Sequence, residues 1–396
     1  MDSEAAAPRI LVVDDNDDNR YTLTLYLELE GYTDVAIAED GEEAIAQLKE
    51  HNFDLVLLDV MMPKVDGYEV LAWLKSQHRL NDLPVIMISA LNEMNSVVRC
   101  IELGAVDYLQ KPFNQHLLRA RLGASLNKKR LRDQVNAHLA RLEQELEAAR
   151  DLQMSMLPQE FPEPTPQCPV DVHGLIQPAR EVGGDLYDFF FTTKDGALCF
   201  FVGDVSGKGM PAALFMARTK SLIRIATELM RDREVAVGPA EIIERVNREL
   251  CQNNNDMMFV TLFFGILDPA TGEVAYCNAG HNPPYRCSGE TLVPVDGGKG
   301  IILGVRPQAA YQTGIVSLAP TETLFLFTDG VTEAHDPSGA LFSEERLEAA
   351  LCASAGLGSR AMVGKVSEAL KGFVGTALPS DDITMLALRW VAPSAT

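Results

Sequence analysis

Long hydrophobic runs are missing from this chain of 396 residues, and so is a basic N-terminal stretch followed by an apolar core. A helix that crosses a bilayer needs about 20 mainly apolar residues, so we expect neither a membrane span nor an export signal. Positive charge is also scarce, with 34 Lys and Arg against 56 Asp and Glu. The net charge of -22 argues against a nucleic-acid partner, because phosphate backbones are bound through clustered Lys and Arg.

Cysteine pairs with the spacing of metal or redox sites are absent as well. The seven cysteines are odd in number and none forms a Cys-x-x-Cys pattern, which predicts reduced thiols in a cytoplasmic protein. What is present, 47% hydrophobic and 23% charged residues, is typical of a globular chain. The length predicts two or three domains.

The first of these domains is expected over residues 8–122. Five short apolar runs, each followed by an amphipathic segment, predict strands at residues 9–15, 34–40, 54–59, 84–90 and 106–111. The runs lack the polar alternation of a half-solvated sheet, as expected where helices cover both faces. We therefore predict an α/β doubly wound (βα)5 domain, whose functional crevice lies at the carboxyl ends of its parallel strands.

A helical linker is expected over residues 123–157, because it lacks proline and is rich in strong helix formers. Apolar residues recur in steps of four and three along a seam made of Val135, Leu139, Leu142, Leu146, Ala149, Gln153 and Met156. This heptad pattern predicts a parallel coiled coil and hence a homodimer. The alternative is a single helix that packs on domains of its own chain.

Residues 158–392 form the third predicted segment, in which the order of strands and helices differs from that of the first. Strands are predicted at residues 171–178, 186–192, 197–205, 259–267, 273–278, 312–318, 323–328 and 383–390, and helices at residues 211–230, 239–251, 344–352 and 360–373. This order predicts an α+β sandwich of two antiparallel sheets flanked by helices.

Charged side chains stand at the strand ends of the first domain. Asp14 and Asp15 end the first strand, Asp59 the third and Lys111 the fifth, with Ser89 at the end of the fourth. Because these ends meet at one edge, three carboxylates would repel one another unless a hard cation lies among them, and oxygen ligands suit Mg²⁺. A carboxylate beside Mg²⁺ can act as a nucleophile toward a phosphoryl donor.

Four motifs, "LVVDD", "LLDVMMPKVDGYE", "ISA" and "YLQKPF", resemble those of the receiver domain of two-component response regulators. The resemblance covers about residues 8–122 and implies that a histidine kinase or phosphotransfer protein phosphorylates Asp59. It implies a Mg²⁺ site made of Asp15, Asp59 and the carbonyl of Met61, assisted by Asp14. It further implies a switch pair, Ser89 and Tyr108, and a phosphate-binding Lys111 before a cis Pro112.

The third segment carries carboxylates in four separate contexts: "REVGGDLYD" with Asp185, "GDVSGKG" with Asp204, "FTDGVTE" with Asp329, and "SDDIT" with Asp381 and Asp382. Several carboxylates with few imidazoles favour Mg²⁺ or Mn²⁺ over zinc. Two such ions sharing one Asp can activate water for attack on a phosphate ester. The pattern therefore predicts metal-dependent phosphoester hydrolysis without a protein nucleophile.

Together these motifs resemble the metal-dependent protein phosphatases (PPM class, protein phosphatase 2C-like) of the sporulation and stress-response branch. The resemblance implies that Asp204 bridges two Mg²⁺ or Mn²⁺ ions, with the Val205 carbonyl on one of them. It places Asp329 and Asp381 on the other and Asp185 on a metal-bound water. Asp382 is the alternative to Asp381, standing where many relatives carry Asn.

Other residues near these motifs leave two interpretations open. Arg180 either clamps the substrate phosphate or is a solvated surface charge. We interpret Lys208 as a loop charge, and His281 in "AGHNPP" as a structural histidine rather than a general acid.

The predicted function is thus a response regulator whose output is a serine/threonine phosphatase. Family resemblance implies that its substrate is a phosphorylated anti-sigma-factor antagonist. The alternative is a catalytically inactive PPM-like adaptor that binds a sigma factor or its regulator.

Overall fold

The structure is a computed structural model that describes residues 7–90, 94–165, 168–231 and 237–391, with side chains described outside residues 94–97. It divides into two compact units, Met1–Leu142 and Glu143–Thr396. No helix in this described part has both the length and the apolar composition needed to cross a bilayer.

The first unit contains a five-stranded parallel sheet. Its strands are β1 (Ile10–Val13), β2 (Val35–Ala38), β3 (Leu55–Asp59), β4 (Val85–Ala90) and β5 (Asp107–Lys111), in the order β2-β1-β3-β4-β5. The predicted doubly wound sheet is confirmed. Strands β1 and β3 are buried along their whole length, because apolar clusters cover both faces of the sheet.

Helices surround this sheet: α1 (Asp17–Leu29), α2 (Gly41–Glu50), α3 (Gly67–Ser76) and α4 (Met94–Leu103). The side chains of Asn16, Asp40 and Asp66 cap α1, α2 and α3 by accepting the N–H of the residue three positions on. Gly67 is required at the start of α3, since a Cβ there would lie 2.1 Å from the carbonyl oxygen of Asp59. This close approach holds the loop after β3 beside Asp59.

Helix α5 (Gln115–Met156) has 42 residues without a break, about 63 Å at 1.5 Å per residue. It starts eight residues before the predicted linker, because the last helix of the first unit continues directly into it. Val135, Leu139 and Leu142 of the predicted seam are exposed, whereas Gln153 is buried. The C-terminal turn of α5 thus packs within the second unit, as in the single-helix alternative, and the coiled coil upstream stays a prediction.

The second unit is a sandwich of two sheets. One contains β7 (Leu186–Phe191), β8 (Leu198–Val205), β9 (Val260–Leu267) and β10 (Glu273–Ala279), with β13 (Lys299–Gly300) and β14 (Gly314–Ser317) both paired to β10. The other has the order β12 (Thr291–Pro294), β11 (Tyr285–Ser288), β15 (Thr323–Phe327), β16 (Ile383–Trp390), β6 (Val170–Gln177). Pairing is antiparallel apart from the two-residue β10–β13 ladder, so the predicted sandwich is confirmed.

Five helices accompany these sheets: α6 (Met210–Arg231), α7 (Pro239–Leu250), α8 (Asp329–Thr332), α9 (Ser343–Cys352) and α10 (Ser359–Val374). Helices α6 and α7 share a core with the first sheet, and α9 and α10 share one with the second. A third core, with Phe200, Phe263 and Leu386, lies between the sheets. The short elements β11, β12, β13 and α8 were not predicted.

Candidate functional site

Three carboxylates meet at the strand ends of the first unit. Oxygens of Asp14, Asp15 and Asp59 all lie within 4.8 Å of one another. The ammonium of Lys111 lies 2.8 Å from Oδ2 of Asp14 and 2.8 Å from Oδ2 of Asp59. The predicted convergence of these four side chains is confirmed, and the Lys111–Pro112 bond is cis as expected.

Electrostatics at this edge are dominated by burial. Burial raises the pKa of Asp59, opposed by the hydrogen bond from Lys111 and reinforced by the charge of Asp14. Burial lowers the pKa of Lys111, but hydrogen bonds to Asp14 and Asp59 outweigh it and leave that pKa raised. Three oxygen donors with one neutralising cation form a donor set that fits Mg²⁺.

The other predicted receiver residues lie on the neighbouring strands and loop. Ser89 is half-buried near the end of β4, where its hydroxyl donates to the Ala90 carbonyl over 3.3 Å. Tyr108 on β5 is also half-buried, and the guanidinium of Arg121 lies 5.0 Å from the centre of its ring. Met61 is exposed in the loop after β3.

The second unit brings its predicted acidic residues together from four elements. Asp204 lies near the end of β8, Asp185 directly before β7, Asp329 at the start of α8, and Asp381 just before β16. Burial raises the pKa of Asp204 to about 7, reinforced by the charges of Asp329, Asp381 and Asp382, while hydrogen bonding with Asp185 opposes the shift. Asp204 is therefore the electrostatic centre of this acidic site.

Two further carboxyl groups of the acidic site, those of Asp185 and Asp329, have raised pKa values. Burial, followed by the charge of Asp204, raises the pKa of Asp185 well above its usual range. Burial, followed by the charge of Asp381, raises the pKa of Asp329. Unlike the first-unit cluster, these carboxylates do not place three oxygens within 4.8 Å in the described part of the chain.

Hydroxyl groups fix the orientation of Asp185. The Thr328 hydroxyl donates to Oδ2 of Asp185 over 2.8 Å, and in turn accepts the backbone N–H of Thr384 over 3.0 Å. This chain connects the residue before β7 to β15 and β16.

Asp382 plays a different role from its neighbour. Its carboxylate accepts backbone N–H groups from Ala179 over 2.7 Å, Gly184 over 2.7 Å and Asp185 over 3.4 Å. Both oxygens are therefore engaged in holding the turn that carries Asp185. Asp381 does not hold that turn, and its Oδ1 accepts the backbone N–H of Asp382 over 3.0 Å.

Two glycines permit the close approaches that assemble the acidic site. A Cβ on Gly184 would lie 2.7 Å from the carbonyl oxygen of Val205, and one on Gly330 would lie 1.9 Å from the carbonyl oxygen of Asp382. Any larger residue would push these segments apart. The "GGD" and "TDG" motifs thus reflect packing at the site.

Lys208 is an exposed loop charge, as interpreted, and it also contacts the acidic site. Its ammonium lies 3.0 Å from Oδ2 of Asp381 and 2.6 Å from the carbonyl oxygen of Ser380. Gly207 and Gly209 on either side have φ angles of 87° and 75°, a left-handed backbone that turns Lys208 toward the acidic loop. The glycine on both sides of a lysine was the available signal.

Arg180 and His281 differ sharply in environment. Arg180 is exposed and makes no hydrogen bond or ion pair with any residue that the structure describes. His281 is buried with Nδ1 2.9 Å from the Thr261 hydroxyl, and burial lowers its pKa to about 4. A neutral, buried histidine agrees with the structural role predicted for it.

An ion cluster around the buried Asp188 was not predicted from the sequence. Asp188 on β7 is fully buried and binds the ammonium of Lys220 and the guanidinium of Arg224, with Arg224 Nε at 2.5 Å. Lys220 and Arg224 lie four residues apart on α6. The cluster ties α6, the helix after the "GDVSGKG" turn, to the strand that follows Asp185.

The donor set of the acidic site fits divalent cations of the Mg²⁺ or Mn²⁺ kind. All its charged ligand atoms are carboxylate oxygens, and their raised pKa values reflect a repulsion that cations would relieve. The available ligands are Asp185, Asp204, Asp329 and Asp381, with the Val205 carbonyl close by.

Known families match both parts of the chain. Residues 194–391, half of the chain, match the family described as Stage II sporulation protein E (SpoIIE). The chain belongs to the Stage II sporulation protein E family. Residues 10–123 match the response regulator receiver domain, so this SpoIIE-family chain also carries a receiver domain.

Individual relatives resemble the SpoIIE-family part. Protein IcfG of Synechocystis sp. is 30% identical over 265 residues, which cover 62% of this chain and 41% of IcfG. Phosphoserine phosphatase RsbU of Bacillus subtilis is 29% identical over 253 residues, covering 63% of this chain and 70% of RsbU. The chain therefore spans less than half the length of IcfG.

A solved structure supports the fold of the second unit. The SiaA-PP2C domain of Pseudomonas aeruginosa superposes with a TM-score of 0.55 at 24% identity, covering 64% of this chain and 98% of that domain. The second unit thus has a protein phosphatase 2C-like fold.

Proposed function

We propose that this chain is a phosphorylation-controlled response regulator whose output is metal-dependent hydrolysis of phosphoserine or phosphothreonine on a partner protein. The observation that carries the proposal is the gathering of Asp185, Asp204, Asp329 and Asp381 from four elements, with burial and mutual charge raising the pKa of Asp204 to about 7. Such perturbed carboxylates cluster at functional sites. The proposed segments are residues 8–122, 123–157 and 158–392, of which residues 91–93, 166–167, 232–236 and 392 lie outside the described residues.

The acidic residues would hold two Mg²⁺ or Mn²⁺ ions. Asp204 is the proposed bridging ligand, with the Val205 carbonyl, Asp329 and Asp381 as further ligands and Asp185 acting through water. Bound divalent cations lower the pKa of water and neutralise charge on a phosphoryl group. Thr328 orients Asp185 for this task through its 2.8 Å hydrogen bond.

Two cationic side chains are suited to the substrate phosphate. Arg180 is exposed and unpaired among the described residues, so its guanidinium is free to bind a phosphate through two parallel N–H groups. Lys208 reaches Asp381 and would meet a phosphate bound beside that residue. Both residues therefore bind and orient the ester rather than attack it.

Control of the output is proposed to begin at Asp59. A histidine kinase or phosphotransfer protein would phosphorylate this residue beside a receiver Mg²⁺ held by Asp14, Asp15, Asp59 and the Met61 carbonyl. Lys111, 2.8 Å from Asp59, would neutralise the transferred group. Ser89 and Tyr108 would then change position as the switch pair.

Helix α5 offers a physical route from the receiver to the acidic site. The Gln153 side chain donates to the Gly183 carbonyl over 2.7 Å and accepts the Gly183 N–H over 3.1 Å. Gly183 lies two residues before Asp185, so a shift of α5 would move the turn that carries this ligand. The proposal requires two states of α5 that phosphorylation populates differently.

The exposed residues 135–142 of α5 form the proposed dimer contact. Val135, Leu139 and Leu142 are between 41% and 57% exposed, and leaving such a stripe in water is unfavourable. A second copy of α5 would cover it as a coiled coil. Homodimer formation through the linker would then couple the two receivers.

The proposed substrate is a phosphorylated anti-sigma-factor antagonist. It follows from the family resemblance, and the name of the relative RsbU, a phosphoserine phosphatase, supports the phosphoserine class. The inactive adaptor is the second candidate, since a metal-free SpoIIE-like fold could still bind a sigma factor or its regulator. The presence of all the proposed carboxylate ligands favours the enzyme.

The test is phosphate release from p-nitrophenyl phosphate and from a phosphoserine peptide, with and without Mn²⁺, by the full chain and by Asp204→Asn. The proposal expects Mn²⁺-dependent turnover that the variant loses by at least about 100-fold, a typical loss when a catalytic electrostatic element is removed. Equal rates for the two proteins would support the adaptor instead.

A further inference from the structure

A cavity of about 170 Å³ opens beside the acidic site of the second unit. Asp381 lines it, as does Gly330, the neighbour of Asp329. The remaining lining includes the aliphatic side chains of Leu370, Val374, Leu378 and Ile383 and the polar ones of Gln177, His335, Lys371 and Ser380. The cavity is therefore continuous with the place where a phosphate ester would bind.

The floor and the mouth of the cavity have different environments. Leu370 is buried in the core of the second sheet and Val374 packs against that core, so the floor is rigid. Leu378, on the loop that leads to Asp381, is 83% exposed. Leu378 thus extends the apolar lining of the cavity to its mouth, where a group that enters the cavity would contact it.

The volume of the cavity limits the size of the group that it can bind. Pockets for cofactors and drug-sized molecules have about 300–1,000 Å³, so this one is too small for them. An apolar cavity of about 150 Å³ accommodates a benzene-sized group. The volume of about 170 Å³ thus fits a single large side chain.

A positively charged side chain, that of Lys371, lies at the edge of the cavity. Lys371, in the last turn of α10, lines it and is exposed. In the part of the chain that the structure describes, no carboxylate pairs with Lys371, although the whole chain has a net charge of -22. An acidic group on a ligand would be attracted to this position.

We propose that this cavity binds one large aliphatic side chain of the protein substrate, near the phosphorylated residue, while Lys371 pairs with an acidic residue beside it. This specificity pocket rests on the proposed phosphatase function. Because an extended peptide advances about 3.3 Å per residue, the aliphatic residue lies within about three positions of the phosphoserine. The enzyme therefore selects phosphoproteins by an apolar residue as well as by the phosphate.

The test uses phosphoserine nonapeptides of Gly and Glu in which a single Leu is moved through positions -4 to +4. Turnover with Mn²⁺ is measured for the full chain, for Leu378→Asp, for Lys371→Glu, and for Ile315→Asp as the matched control, an equally bulky exposed residue on β14. Each peptide is made with Glu or with Gly beside the Leu. Each kcat/KM is divided by that for p-nitrophenyl phosphate, which is too small to reach both places at once. The ratio isolates the pocket from the acidic site.

We expect one Leu position to raise the ratio at least about tenfold, the lower end of what a hydrophobic pocket discriminates. Leu378→Asp should abolish this preference, Lys371→Glu should invert the preference for an adjacent Glu, and Ile315→Asp should retain both. A preference below twofold at every position, or one that survives in Leu378→Asp, would overturn the proposal.

Peptide binding separates this proposal from the proposed function. Fluorescein-labelled forms of the Leu and Gly peptides are titrated into Asp204→Asn, whose turnover is expected to be lost. A tenfold tighter Kd for the Leu peptide supports the pocket even if no turnover is found in the unaltered chain. Equal Kd values, together with normal turnover of p-nitrophenyl phosphate by the unaltered chain, would remove the pocket and leave the phosphatase.

Discussion

Replacing Asp204 by Asn removes the central charge of the acidic site with little change of shape, and we expect it to stabilise the metal-free protein at pH 8. The pKa of Asp204 is raised from an ordinary 3.8 to about 7, first by burial and then by Asp329, Asp381 and Asp382. One pKa unit corresponds to about 1.4 kcal/mol, so ionising Asp204 in the folded chain costs up to about 4 kcal/mol.

The sign of the pH dependence follows from which state loses its proton first. Asp204 in the unfolded chain ionises near its ordinary value, whereas the folded chain retains the proton until about pH 7. Stability therefore falls as the pH rises through this window and is lowest above it. The gain from Asp204→Asn should thus be up to about 4 kcal/mol at pH 8 and less than half of that at pH 5.

Thermal unfolding of the EDTA-treated full chain at both pH values measures this difference. For a unit of this size, 1 kcal/mol corresponds to roughly 2–4 °C in Tm, so a rise of at least about 5 °C is expected at pH 8. Asp256→Asn is the control, because Asp256 is exposed in the same unit. With Mn²⁺ the advantage of the variant should shrink, by about 2.7 kcal/mol for each site that the unaltered chain alone fills at 100 times Kd.

A metal-free Asp204→Asn protein that is less stable than the unaltered chain at pH 8 would refute this reasoning. So would a gain of equal size at pH 5 and pH 8. Either result would mean that burial and the neighbouring carboxylates do not raise the pKa of Asp204 in the folded chain.

Three further predictions concern control and assembly. Gln153→Ala should reduce Mn²⁺-dependent turnover of p-nitrophenyl phosphate about tenfold, because it removes both hydrogen bonds to Gly183, each worth about 0.5–1.5 kcal/mol. Asp59→Asn should abolish labelling of the chain by acetyl phosphate, measured on phosphate-affinity gels, because it removes the proposed phosphoacceptor that lies 2.8 Å from Lys111. Leu139→Glu should convert the dimer to monomers in sedimentation velocity, because it introduces like charges into the seam.

Each of these predictions has a matched control. Gln144→Ala changes an exposed glutamine on the same helix, Asp18→Asn an exposed carboxylate of the first unit, and Leu152→Glu an exposed leucine outside the seam. Unchanged turnover in Gln153→Ala would contradict the route through α5. Persistent labelling of Asp59→Asn would contradict the assigned phosphoacceptor. A monomeric unaltered chain would contradict the linker dimer.

The first unit was predictable in detail because short sequence patterns indicate its strands and a parallel sheet fixes where those strands end. Strands β1 and β3 contain continuous apolar runs, and parallel strands must bring their carboxyl ends to one edge. Asp14, Asp59 and Lys111 therefore meet as expected, although they stand far apart along the chain. Pattern and topology were sufficient here.

The second unit was predictable in its strands and acidic residues but not in its salt bridges. Lys208 reaches Asp381 across 173 positions of sequence, and its direction depends on the left-handed glycines beside it rather than on any periodicity. The role of Asp188 was not predictable, because the sequence of its aromatic strand does not show that its charge pairs with α6. Such pairings are tertiary and have no local signature.

The length of α5 was also outside local reasoning. The pattern of residues 123–157 indicated a helix, but its continuity with the last helix of the first unit depends on the absence of a break near residue 123. Gly123 would be a usual place for one, yet a Cβ there would meet nothing within 4 Å. The glycine lies within the helix without ending it.

The most direct test of the central claim is an anomalous difference map from a crystal of the full chain grown with Mn²⁺. We predict two peaks in the second unit that share Asp204 as a ligand, with Asp329 and Asp381 in contact with one of them and Lys208 displaced from Asp381. An empty map in which Lys208 still binds Asp381 would contradict the assignment of these carboxylates as a two-metal site.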